Sequence, residues 1–213
     1  MSPITFFERR MKITTRFVLL FAMSLGLLVL PACSDSTTEP TPDAVDTTTF
    51  AYQDVRPDSV TGWLYYSLDS MKIVSPGSAS WDIRLPYIFC CGRSRSIPVQ
   101  LNSGSNGSGT TAGAMVSGRY ETITAMPAGV TLRTDDTLAP VVPTAVAGPT
   151  AVFVYDAPSR TLRPSPDKTL IVRSGSGKLF KFGIVSIYQN ANSNPTLDTP
   201  IGFYHFRVAR LNQ

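Results

Sequence analysis

The chain has 213 residues, with 19 Lys and Arg against 15 Asp and Glu, three cysteines and one histidine. Residues 1–32 hold Arg9, Arg10, Lys12 and Arg16 against Glu8, so 15 basic and 14 acidic residues remain beyond them. That near-neutral remainder lacks the charge excess of a nucleic-acid binder, and nucleic acid is not expected as a partner.

At the N-terminus, Met11-Lys12-Ile13-Thr14-Thr15-Arg16 is a short basic region ahead of Phe17 to Leu30, an apolar run broken only by Ser24 and Gly26. Pro31-Ala32-Cys33 follows. A basic region, a short apolar stretch and a small residue at the cut make a secretory signal, too short to cross a bilayer comfortably. Leu30-Pro31-Ala32-Cys33 resembles the bacterial lipobox, which implies cleavage before Cys33 and lipidation of its thiol. Residues 1–32 are thus expected to be a lipoprotein signal peptide, with Met11 the more conventional start. Residues 33–50 are expected to be a flexible tether, since Ser34 to Pro42 is polar and proline-bearing and cannot bury a core. The expected location is the cell envelope. Ser34 beside Cys33 is compatible with an outer-membrane lipoprotein, exposed or not at the surface.

Residues 51–213 are long enough for one domain with a core. The expected fold class is mainly β, a single antiparallel domain with little helix, because short runs rich in Val, Ile, Thr, Tyr and Phe alternate with Gly, Pro, Asn and Ser. In chain order the predicted strands are Trp63 to Leu68, then Trp81 to Leu85 with Trp81, Ile83 and Leu85 on one face, then Ser96 to Leu101. Ala114 to Tyr120, Val130 to Arg133, Ala151 to Tyr155 and Thr169 to Arg173 follow. Leu179 to Tyr188 and Ile201 to Leu211 complete the set. Asn102 to Gly109 lacks the Gly-Lys-Ser/Thr of a phosphate loop and is expected to be a flexible hairpin connection. Arg173 to Lys178 predicts a tight hairpin. Ala139 to Pro149 predicts an irregular surface loop or edge.

Chemistry-bearing residues are few. Cys90 and Cys91 are the only thiols besides Cys33. Adjacent cysteines fit disulfide geometry poorly, leaving a strained vicinal bridge, a reduced pair or one buried thiol as the alternatives. With one distant histidine they lack metal-ligand spacing. His205 lies in Phe203-Tyr204-His205-Phe206-Arg207-Val208, where alternation puts it on the face opposite Tyr204 and Phe206, half exposed. Asp135-Asp136 is expected to solvate a turn. No serine sits in a Gly-x-Ser-x-Gly elbow, and an enzyme is not expected.

The order of these pieces resembles the HmuY-like lipoproteins, haem-binding surface proteins of Bacteroidota and related bacteria. The resemblance runs from about residue 50 to the end. It rests on Trp63-x-Tyr65-x-Ser67, on Trp81-Asp82-Ile83 opening a strand, and on Asn102 to Gly113 leading into Ala114-Met115-Val116-Ser117-Gly118. Lys168 to Arg173, a glycine turn, Lys178 to Phe182 and a last aromatic strand complete it. The resemblance implies a mostly β fold, capture of haem, and delivery to a TonB-dependent outer-membrane receptor.

Haem binders of that family hold iron with paired His or Met side chains. Carried onto this sequence, the first ligand falls between about Thr131 and Thr150, which has no His, Met, Tyr, Cys or Lys. The second falls at Tyr155-Asp156. The candidate haem ligands are therefore Tyr155, as a tyrosinate, and the methionines Met115 and Met126. Arg160 and Arg163 are the candidates for pairing with propionates. The alternative function is a non-haem surface binding module for a glycan, peptide or protein partner on the same fold.

Overall fold

The computed structural model describes residues 50–88, 97–142 and 151–212, and for 50–53 the backbone alone. The signal segment, Cys33, most of the tether, Cys90-Cys91 and residues 143–150 of the proline-rich stretch lie outside the described residues. No helix among the described residues is long and apolar enough to cross a membrane.

The chain is mainly β, and its strand pairs are antiparallel. The strands among the described residues are β1 (Phe50–Val55), β2 (Trp63–Ser67), β3 (Lys72–Val74), β4 (Ile83–Pro86), β5 (Gln100–Leu101), β6 (Ala112–Ser117), β7 (Phe153–Asp156), β8 (Thr161–Pro164), β9 (Lys168–Arg173), β10 (Leu179–Tyr188) and β11 (Ile201–Arg210). They form a four-stranded sheet in the order β3-β2-β4-β5, a five-stranded sheet in the order β1-β11-β10-β9-β6, and a separate β7-β8 hairpin.

Period-two alternation explains how the two larger sheets meet. Leu64 and Tyr66 of β2, Ile83 and Leu85 of β4 and Leu101 of β5 point into one core. Leu170 and Val172 of β9, Phe180 and Phe182 of β10, and Tyr204, Phe206 and Val208 of β11 enter it from the other side. Tyr66 meets Phe206 edge-on, with ring centroids 5.2 Å apart, a geometry worth about 0.5–1.5 kcal/mol beyond area burial. Tyr204, fully buried, donates its hydroxyl to the Pro86 carbonyl at 2.8 Å, so its one polar atom is satisfied across the sheets. The far face of the five-stranded sheet carries a smaller cluster of Val116, Ile123, Ile171 and Leu211.

The phase of β10 changes along its length. Phe180, Phe182 and Ile184 share a face, yet Ile187 is fully buried in the same core. The register against β11 shifts between Ile184 and Ser186 and again before Tyr188, so an irregularity turns the alternation over.

Several predictions from alternation are corrected by contacts between distant segments. Residues 102–109 are not a flexible hairpin connection. They carry the chain from β5 in one sheet to β6 in the other, and Asn102 and Ser103 are buried. Asn102 donates to the carbonyls of Ala79 and Trp81, and its Oδ1 accepts from Gly109 N. Asp135 does not solvate a turn: it is fully buried and accepts from Leu101 N, Asn106 Nδ2 and Val141 N at 2.7–2.9 Å. Asp136 stays exposed, its carboxylate accepting from Leu138 N and its carbonyl from Ala139 N nearby.

Trp81 precedes β4 and does not join Ile83 and Leu85; its ring packs on Tyr65 and Arg84 instead. Residues 130–133 make one isolated bridge, Gly113 to Arg133, in place of a strand. Beyond Ser117 the chain leaves β6 and makes a 3-10 turn at Tyr120–Thr122. The Arg173–Lys178 hairpin is present, closed by Gly177 N and Ser174 O at 2.9 Å.

Candidate functional site

The five candidate haem contacts do not converge. Tyr155 and Val154 lie on the β7-β8 hairpin with 49% and 52% of their surfaces exposed. Tyr155 is paired with Leu162 and Val154 with Arg163, so Tyr155 and Arg163 project to opposite faces of the hairpin. Arg160 sits in its turn with φ +56° and is exposed. Tyr155 is therefore half exposed, with Arg163 on the other face of the hairpin.

The two methionines lie on opposite faces of the five-stranded sheet. Met115 on β6 packs against the main core, where the space beside it is about 20 Å³, far too small for a porphyrin. Met126 packs against the smaller cluster on the far face and lines an open groove of about 510 Å³. Val130, Leu132 and Leu179 give that groove apolar walls, and Arg173 at the end of β9 brings a cation to it. The candidate ligand Met126 and the unexpected Arg173 are thus the pair that the structure brings together.

A second array, not anticipated from the sequence, occupies the outer face of the four-stranded sheet. In the registers Tyr65↔Val74, Tyr65↔Arg84 and Arg84↔Gln100, one row crosses all four strands, with Trp63 in the next row. The Arg84 guanidinium lies 4.4 Å from the Trp63 ring centroid and 5.3 Å from that of Trp81. Its Nε donates to Gln100 Oε1 at 2.7 Å. Trp81 meets Tyr65 edge-on at 5.3 Å. The signal was present in the sequence, because the inward Leu64, Tyr66, Ile83 and Leu85 force Trp63, Tyr65 and Arg84 outward. Which strands stand side by side was not.

Two further polar clusters are enclosed. His205 is 3% exposed and not half exposed, because β1 and the 3-10 turn Gln189–Ala191 cover the face opposite Tyr204 and Phe206. Its Nε2 lies 3.0 Å from Asp54 Oδ1 and 2.9 Å from the Tyr188 carbonyl, while its Nδ1 faces Asp54 N at 3.4 Å. Ala191 N also donates to Nε2 at 3.0 Å, so the ring ties β1 to the 3-10 turn. On another stretch of the same sheet, Lys181 Nζ and the Arg207 guanidinium each lie 4.3 Å from the Tyr120 ring centroid. Burial pushes the Tyr120 phenol up to about 12, and its buried hydroxyl has no protein partner. Burial also lowers the Lys181 ammonium, which donates to the carbonyls of Tyr120 and Ile123 at 2.7 and 2.8 Å. Their contacts tie neighbouring elements together, so both clusters act as struts.

No known family profile matches the chain, and no curated protein matches it. Among solved structures it is similar to a protein from Bacteroides fragilis provisionally described as a lipoprotein. Identity is 14%, the TM-score is 0.40, and the match covers 74% of this chain and 94% of that one. It is likewise similar to a protein from Bacteroides vulgatus provisionally described as HmuY-like and haem binding. There the identity is 14% and the TM-score 0.40, over 73% of this chain and 96% of that one.

Proposed function

We propose that this chain is a lipid-anchored cell-envelope binding protein of the HmuY-like kind, and that its ligand is haem or another porphyrin. The observation that carries the reading is the groove, where a candidate iron ligand, apolar walls and a cation stand together. Met126 would offer one thioether donor, Val130, Leu132 and Leu179 would cover the ring, and Arg173 would pair with a propionate. Thioethers are soft donors, so this seat favours reduced iron over oxidised iron. No other His, Met, Cys or Tyr lines the groove among the described residues, which makes the seat one-sided. With Met126 as the single donor that this chain would supply, a small ligand or a partner's side chain would complete the hold, as suits a protein that passes its cargo on.

The test is an absorbance titration of the chain with haemin, with and without dithionite. The expected result is a Soret shift that is stronger under dithionite, lost in Met126→Ala and kept in Tyr155→Phe. No spectral change at micromolar haemin in either redox state would sink the reading. Lipidation at Cys33 is tested by labelled fatty-acid incorporation, which Cys33→Ala should abolish. Co-purification from outer membranes with a TonB-dependent receptor would test delivery. The second reading, a binding module for a non-haem ligand, is favoured by the aromatic and guanidinium array on the four-stranded sheet; on either reading the chain binds and does not catalyse.

A further inference from the structure

We infer that the outer face of the four-stranded sheet is a site for a carboxylate-bearing saccharide, an inference that rests on the second reading and uses a different face from the groove. Arg84 would receive the carboxylate, and Trp63 the apolar C–H face of a sugar ring. The geometry of Arg84 is the core of the argument. Two indole rings and Gln100 hold its guanidinium from three sides, and its two terminal nitrogens have no protein partner among the described residues. A guanidinium fixed in advance loses little freedom on binding, and its terminal fork matches a carboxylate in two parallel hydrogen bonds.

Charge complementarity points the same way. The row Val74, Tyr65, Arg84, Gln100 and the neighbouring Trp63 and Pro86 contain one cation and no acid. One cation cannot track a phosphate backbone, which excludes nucleic acid. The row presents side chains from paired strands, not a free strand edge, which disfavours an extended peptide. Tyr65, Trp63 and Gln100 supply hydroxyl, indole N–H and amide groups beside flat apolar rings. That mixture suits a ligand that is flat and apolar on one side and rich in hydroxyls around its rim.

The test is calorimetric titration of the full chain in detergent with oligomers of galacturonate, glucuronate and mannuronate, and with neutral oligogalactosides of equal length. The expected result is binding of at least one uronate, with the neutral oligomers weaker by about tenfold or more. Arg84→Gln should erase that preference, and Trp63→Ala should weaken the uronate by a similar factor. Gln100→Ala keeps the charge and the rings but releases the guanidinium, and should weaken binding severalfold with an unchanged circular dichroism spectrum. Equal affinity for acidic and neutral oligomers, an unaltered preference in Arg84→Gln, or no heat with any uronate at millimolar concentration would overturn the inference. The haemin titration reads the other face, so failure of one does not decide the other.

Discussion

Gly175 donates its backbone N–H to Asp82 Oδ1 at 2.9 Å, joining the residue ahead of β4 to the tip of the β9-β10 hairpin. Thr111 Oγ1 donates to the same oxygen at 3.1 Å and Leu68 N to the other at 2.8 Å. One buried carboxylate therefore gathers the exit of β2, the entry to β6 and the hairpin that links β9 to β10. Replacing it with alanine leaves the buried Leu68 N–H and Thr111 hydroxyl without an acceptor and frees the exposed Gly175 N–H. Asp82→Ala should cost about 2–4 kcal/mol, measured by urea unfolding.

The same residue sets a pH dependence. Burial raises the Asp82 carboxyl above its ordinary value, outweighing the pull of Gly175, Leu68 and Thr111, and the charge of Asp69 adds to the rise. The folded state thus holds the proton more tightly than the unfolded chain, where the group titrates near 3.8. Its contribution is full below that value and is lost as pH rises through the folded titration point. The stability difference between the parent and Asp82→Asn should shrink on going from about pH 3 to about pH 7. A difference that grows over that range would contradict the assignment.

Tyr120→Phe should leave stability unchanged or raise it, within about 1 kcal/mol. The phenol oxygen is buried without a partner, so its removal ends a desolvation cost, and the ring between Lys181 and Arg207 is retained. A thermal melt decides it; a loss of several degrees would mean that the hydroxyl has a partner after all.

Two glycines with left-handed backbones should respond differently to alanine. Gly104 has φ +57°, and a Cβ there would stand 1.9 Å from the Asp135 carbonyl oxygen. Gly177 has φ +90° at the hairpin tip and open space around it. Gly177→Ala should cost about 1 kcal/mol, the backbone strain alone. Gly104→Ala should cost well over about 2 kcal/mol, because the 102–109 crossing and the buried Asp135 must separate. Equal denaturation midpoints for the two variants would refute the contrast.

Around His205, Asp54, Asn190 and Ala191 all have positive φ, at +50°, +57° and +49°. Asn190 N donates to Asp54 Oδ1 at 2.6 Å, so the strained turn is held by the group that also holds the histidine. Ala191→Gly should relieve strain and gain up to about 1 kcal/mol. His205→Ala should loosen the end of β1 and raise amide exchange at Asp54 and Asn190 before it affects the core.

Strands with long runs of apolar and β-branched residues were legible: β2, β9, β10 and β11 lie where Trp63 to Leu68, Thr169 to Arg173, Leu179 to Tyr188 and Ile201 to Leu211 predict them, although the change of phase inside β10 was not. β3 and β8, with three and four residues, carry too few positions for a period to register. The polar residues were misread for one physical reason. Asp135, Asn102 and His205 are short or neutral side chains whose burial depends on N–H groups contributed from 6 to 151 residues away. Local composition sees only their polarity. The Arg84 array was half legible: the outward direction of Trp63 and Tyr65 follows from alternation, whereas the neighbour relation of β2, β4 and β5 is set by the closed fold.

The register of β1 against β11 breaks twice, between Phe50 and Tyr52 and again before Val55. β1 is an outermost strand of the five-stranded sheet, and such a border is a ready template for a further strand. The broken register denies an incoming copy a straight run of donors and acceptors, so crowded copies of this domain would not zip edge to edge into ribbons.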